Sequence, residues 1–133
     1  MRLDKQWRKE INETTIIQEG NQQNSIVAED SYLSKRVANY KATLKCIEYN
    51  NNASIVYQSL SENEFWLKNS RYVEKAPNNT TKITYKVEFD VAIVKHGLGF
   101  MLPVFIVKYY TQITMNKYLN KLKHILESTG SNL

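Results

Sequence analysis

From residue 82 onward the chain alternates. Ile83, Tyr85, Val87, Phe89, Val91 and Ile93 fall on one face, and Lys82, Thr84, Lys86, Glu88 and Asp90 on the other. A period of two belongs to a strand, and an apolar face opposite a charged one belongs to a sheet covered on one side only. Earlier runs rich in Tyr, Ile, Val and Thr suit the same pleated surface. They are separated by clusters of turn residues: Gly20 to Asn24, Asn50-Asn51-Asn52, Ser61-Glu62-Asn63 and Pro77-Asn78-Asn79. This spacing predicts six strands: Asn12–Glu19, Ser25–Leu33, Val37–Tyr49, Ser54–Leu60, Phe65–Lys75 and Lys82–Val94. Their short links imply sequential antiparallel hairpins.

The period changes after Pro103. Apolar residues then recur at three- and four-residue steps through Tyr118, Leu122 and Ile125, interleaved with Lys108, Gln112, Asn116, Asn120 and Lys123. That is the pattern of one long amphipathic helix from Pro103 to Ser128, with proline suited to its first turn. Phe105, Ile106 and Tyr109 are predicted to face inward, and Phe100 to Leu102 to form a lip at the entrance of any cavity beneath the helix. Its β-branched residues weaken its intrinsic propensity, so the helix depends on the sheet. The expectation is an α+β fold, a single domain over residues 1–133, with a curved antiparallel sheet of about six strands packed against one C-terminal helix.

Composition narrows the class of protein. A chain of 133 residues with 42% hydrophobic and 23% charged residues suits one globular core. The apolar run GLGFMLPVFIVKYY cannot span a bilayer, because His96 and Lys108 enclose eleven uncharged residues and about 20 are needed. No apolar leader follows Met1, and the single cysteine, Cys46, cannot pair within the chain. The chain reads as cytoplasmic. Its net charge of +5 accompanies frequent Lys and Asn, which an AT-rich gene explains more simply than nucleic-acid binding. Four Asn-x-Ser/Thr sequons, at Asn12, Asn52, Asn78 and Asn79, read as chance in a chain without a secretion signal.

Recognisable catalytic chemistry is missing. His96 and His124 are far apart and have no ligand-spaced partners, and no phosphate loop or nucleophile elbow is present. We therefore expect neither metal nor cofactor. What stands out is an aromatic inventory, including nine tyrosines, spread over the strands. Tyr and Trp can serve as core or as the wall of a cavity for a mostly apolar ligand. Arg71 sits mid-strand among aromatic residues; facing inward it needs an anionic partner or ligand, and facing outward it is an ordinary wet-face residue.

The order of elements resembles the helix-grip fold, and several segments strengthen the likeness. Trp7 followed by "TTIIQEG" is similar to the segment where START-like proteins begin their second strand. "TKITYKVEFDV" (81–91) resembles their last long strand. "GLGFMLPVFIVKYYTQITMNKYLNKLKHILES" (97–128) resembles their glycine turn and closing helix. This superfamily includes polyketide cyclases, lipid-transfer domains and Bet v 1-type proteins. The resemblance implies binding or transport of a lipid, isoprenoid or polyketide-like molecule beneath the helix. Tyr40, Tyr57, Trp66, Arg71, Tyr85, Phe89, Phe105 and Tyr109 are the candidate ligand-binding residues, chosen by strand or helix position and chemistry. Gly97 and Gly99 are candidates for a hinge, either as a gate or as a strand-to-helix turn. A cyclase- or dehydratase-type enzyme is the alternative, with Arg71 and an inward tyrosine orienting a carbonyl or moving a proton. A third reading is a basic interaction module for a membrane surface or nucleic acid. Family members carry a further strand and two short helices ahead of the tryptophan, where this sequence has only Met1 to Gln6. That departure implies an open sheet edge and possible pairing of two copies through it.

Overall fold

The structure is a computed structural model that describes residues 6–18 and 23–130. It contains strands β1 (Ile11–Gln18), β2 (Ile26–Ser31), β3 (Tyr40–Asn50), β4 (Ser54–Ser59), β5 (Leu67–Ala76) and β6 (Thr80–Phe89). Helices α1 (Ala92–Leu98) and α2 (Val104–Gly130) follow. The strands form one antiparallel meander in sequence order, leaving β1 and β6 at its edges. The expected end of the first strand at Glu19, and the turn residues Gly20 to Gln22, lie outside the described residues.

Asparagine makes the turns. Asn24, Asn52, Asn78 and Asn79 all adopt left-handed backbone, with φ of 71°, 59°, 63° and 56°. Asparagine tolerates this region better than other residues with a Cβ, since its short amide can bond locally. Three of the four sequons therefore mark hairpin turns. Between β4 and β5, Asn63 acts differently. Its amide nitrogen donates to the carbonyls of Thr43 (3.0 Å) and Leu60 (2.9 Å), and its oxygen accepts the Thr43 N–H at 2.9 Å. The connection is thereby tied to the middle of the sheet.

Register places successive rows of side chains on the covered face. Tyr49, Ile55, Arg71 and Tyr85 are cross-strand partners in one row; Cys46, Tyr57, Asn69 and Val87 form the next. A register slip between Cys46 and Glu48 bends β3 where the two rows meet. The core gathers around β3, with Val27, Leu44, Cys46, Tyr57 and Phe65 all buried. Cys46 is inaccessible, and burial pushes its thiol pKa up. It is a small core residue.

Two expectations need correction. The last strand stops at Phe89, not Val94. The Asp90 carboxylate accepts the N–H of Ala92 at 2.9 Å and its carbonyl accepts that of Ile93 at 3.1 Å, turning the chain into α1. Val91 and Ile93 continue the alternation by coincidence, because a short apolar run fits helix and strand alike. The second correction concerns α2. Its deeply buried residues are Val107 and Tyr118, while Phe105 and Tyr109 are 73% and 65% exposed. Buried and half-buried positions at 107, 111, 114, 118, 122 and 125 repeat at three- and four-residue steps. Phe105 and Tyr109 each lie two residues from Val107, about 200° around the helix, and so point away.

This assignment of faces predicts a sharp contrast in stability. Leu44→Ala should cost about 2–5 kcal/mol, as for a filled core position that cannot collapse. Phe105→Ser and Tyr109→Ser should each stay within about 0.5 kcal/mol of the parent. Urea unfolding of the three variants checks it; a large loss at Tyr109 would mean the helix is seated on its other face.

Candidate functional site

The covered face of the sheet is closed at one end by the residues just before β1. Trp7 and Arg8 are 7% and 8% exposed, although they precede the first strand. The Ile11 N–H donates to the Arg8 carbonyl at 3.1 Å, and the Tyr32 N–H to that of Glu10 at 2.5 Å, so this stretch is tied back onto the sheet. The Trp7 ring meets Tyr85 edge-on, with centroids 5.6 Å apart. The Arg71 guanidinium lies over both rings, 5.3 Å from Trp7 and 5.1 Å from Tyr85. Desolvated cation–π contacts of this kind contribute on the order of 2 kcal/mol. Arg71 thus faces inward.

Beside this stack is a buried ion cluster. Arg8 donates through Nε and Nη2 to Glu10 Oε1, both at 2.9 Å, and its Nη1 lies 3.5 Å from Glu29 Oε2. The Ser31 hydroxyl donates to the other Glu29 oxygen at 3.3 Å. From α2, the Tyr118 hydroxyl comes close to Glu10. Burial first, then the nearby Glu10 carboxylate with its negative charge, raise the Tyr118 pKa well above 10, with Arg8 opposing. Deprotonation would place a second anion beside a buried carboxylate.

A cavity of about 340 Å³ opens between this cluster, the sheet and α1. Leu33, Leu44, Leu67, Val87, Phe89 and Ile93 form its apolar walls; Arg8, Glu10, Glu29, Ser31, Asn69 and Tyr85 form its polar end. On the far side of the Trp7–Arg71–Tyr85 stack lies a second space of about 330 Å³, roofed by Leu119 and Leu122 of α2. Tyr85 lines both spaces, and of the two only the second lies beneath α2.

The expected site residues separate accordingly. Tyr40, Tyr85 and Phe89 line the first cavity, and Arg71 lines the second. Tyr57 is buried in the core and lines neither. Trp66 is exposed and lines a separate space of about 570 Å³ with Val107 and Lys108. Phe105 and Tyr109 point to solvent and line neither cavity, a correction that follows from the orientation of α2. Sequence reasoning missed Arg8, Glu10, Glu29, Ser31 and Asn69. A signal existed for Glu29 and Ser31, which share β2's buried face with Val27 and so place polar groups where an apolar residue is the default.

The entrance is built by α1. Gly97 is buried within it; a Cβ there would come 3.5 Å from Leu33, and its carbonyl accepts the Ser34 hydroxyl at 2.5 Å. Gly99 caps the helix at φ 85°, which favours glycine, and an added Cβ would lie 2.8 Å from Arg36 Nη1. His96 packs against Phe65 and Tyr40, with centroids 5.2 and 6.1 Å away. Among the described residues no cluster of His, Cys, Asp and Glu could hold a metal ion, and no helix is long and apolar enough to cross a membrane. No protein-family model matches the chain, and no curated protein matches it in sequence.

The closeness of Tyr118 to Glu10 makes stability depend on pH. The folded-state pKa of Tyr118 lies above its ordinary value of 10.0, so its contribution is complete below pH 10 and lost as pH rises beyond it. Tyr118→Phe, which removes the hydroxyl and keeps the buried ring, should stay within about 1.5 kcal/mol of the parent at neutral pH. Its stability should also fall less steeply than the parent's above pH 10. Denaturant titrations on both sides of that pH check both outcomes.

Proposed function

We propose that the protein binds, and carries, a small apolar ligand in the cavity enclosed by the sheet, α1 and the segment before β1. A helix-grip domain of the START-like kind, which the sequence resembles, would hold a lipid, isoprenoid or polyketide-like molecule beneath its C-terminal helix. Here the cavity with apolar walls and a polar end lies beside α1 instead, and no residue of α2 lines it. The observation that carries the reading is the cavity itself: about 340 Å³, with aliphatic and aromatic walls and polar groups gathered at one end. Ligand sites of small molecules have this character.

Convergent polar groups also suit a cyclase- or dehydratase-type enzyme. Two features favour binding. Arg8 holds both Glu10 and Glu29 in ion pairs, which suits a structural cluster. Arg71, the residue expected to orient a carbonyl, stands over Trp7 and Tyr85 and lines the other space.

Contact with an anionic membrane surface, as the source of the ligand, has its own support. Leu98, Phe100, Met101, Val104, Phe105, Tyr109 and Tyr110 are all exposed around the cavity's α1 entrance and the start of α2. Five lysines and no carboxylate occur between Val91 and Leu126. Exposed apolar surface beside unbalanced positive charge fits a peripheral membrane contact.

Fluorescence of N-phenylnaphthylamine, an uncharged apolar probe, tests the cavity. The probe should brighten on binding, and Val87→Trp, which fills the cavity, should weaken binding by about tenfold or more. A double variant, Phe105→Ser with Tyr109→Ser, should bind the probe normally but sediment poorly with phosphatidylserine vesicles. Equal probe binding by Val87→Trp would remove the cavity as the site.

A further inference from the structure

We infer that the polar end of the ligand is a neutral hydrogen-bond donor, an aliphatic alcohol and not a fatty acid or a phosphate ester; this rests on the cavity reading above. Asn69 carries the argument. It stands mid-row on the covered face, between Tyr57 and Val87, and lines the cavity. The residue is 8% exposed, and its side-chain oxygen is fully buried with no hydrogen-bond partner among the described residues. A buried amide oxygen without a donor is unfavourable and rare in folded proteins. Apolar walls on either side leave the cavity as the direction from which a donor can come.

Charge decides what kind of donor. The cluster at this end sets two carboxylates, Glu10 and Glu29, against one guanidinium, Arg8. Lys68 and Glu88, which also line the cavity, are cross-strand partners of opposite sign. A carboxylate or phosphate would therefore enter beside excess negative charge, in a site where burial strengthens the repulsion. An ammonium would find the Glu10 and Glu29 oxygens as well as Asn69. It would, however, enter beside the Arg8 guanidinium that already pairs with both carboxylates, and it must also shed its water. A hydroxyl brings one donor and no charge. It fits.

Displacement of N-phenylnaphthylamine by decane, decanol, decanoate and decylamine at neutral pH tests the inference. Decanol should bind about tenfold tighter than decane, the gain expected where a buried polar group finds its partner, and decanoate should bind weakest. In Asn69→Leu the preference for decanol over decane should vanish while decane still binds. Asn69→Asp, which keeps an acceptor oxygen, should retain it. Tighter binding of decanoate or decylamine than of decanol overturns the inference, and so does an alcohol preference that survives in Asn69→Leu. Should Asn69→Leu fail to fold, the ranking of the four compounds on the parent protein decides alone. Displacement by all four without discrimination removes only the head-group inference; displacement by none removes the cavity reading with it.

Discussion

The architecture hinges on how Arg8 is held. A guanidinium with so little exposure is tolerable only when its donors are met, and Glu10 and Glu29 meet them from two different elements. Because Glu29 belongs to β2 and Glu10 lies just before β1, the ion cluster fastens the entry of the chain onto the sheet it is about to join. Trp7 is carried along and stacks where Arg71 and Tyr85 wait. Tyr118 then brings α2 to the same point, close to Glu10. Three parts of the molecule far apart in sequence therefore meet at the Arg8–Glu10 pair. Removing a single partner would leave charge stranded in the core, which is costlier than the pair is favourable.

The sheet was legible in the sequence because each strand announces itself locally. Alternation in β6, and asparagine turns between β3 and β4 and between β5 and β6, place the hairpins to within a few residues. Its limits are physical too. Val91 and Ile93 satisfy period two and also the first turns of a helix, and only the Asp90 turn decides between them. Phe105 and Tyr109 are large and apolar, so they read as an inward face. The face actually covered carries Val107, Thr111 and Thr114, whose smaller side chains let the helix approach. Size misled where packing decides.

The site was less legible for a different reason. Arg8, Glu10 and Asn69 are polar residues in polar surroundings along the chain, and nothing local distinguishes them from solvent-facing neighbours. They become a site only through pairings between residues 8 and 29, 10 and 118, or 57, 69 and 87. Arg71 is the instructive contrast. Its aromatic neighbours in sequence raised the question of an inward charge. The structure answers it with aromatic faces from Trp7 and Tyr85, elements that no window around residue 71 contains.

Why there is room beneath the helices at all follows from the alternation of bulk between rows. The row of Tyr49, Ile55, Arg71 and Tyr85 is tall, and Trp7 lies on it, so the covering elements are held away from the sheet. In the next row Tyr57 packs into the core, and its neighbours Asn69 and Val87, which line the cavity, are shorter side chains that do not reach the same height. Beside the cavity Gly97 has no side chain to fill the gap, and a Cβ there would only touch Leu33, at 3.5 Å. A cavity is the geometric remainder of a tall row beside a short one, and its walls are apolar because the short row lies between Leu44 and Phe89 on one side and α1 on another. Its polarity at one end has the same origin. The ion cluster that fastens the chain's entry must sit beside the tall row, so the cavity inherits carboxylates on that side and hydrocarbon on the other. An amphipathic interior is thus a consequence of how the sheet is covered, before any ligand is considered.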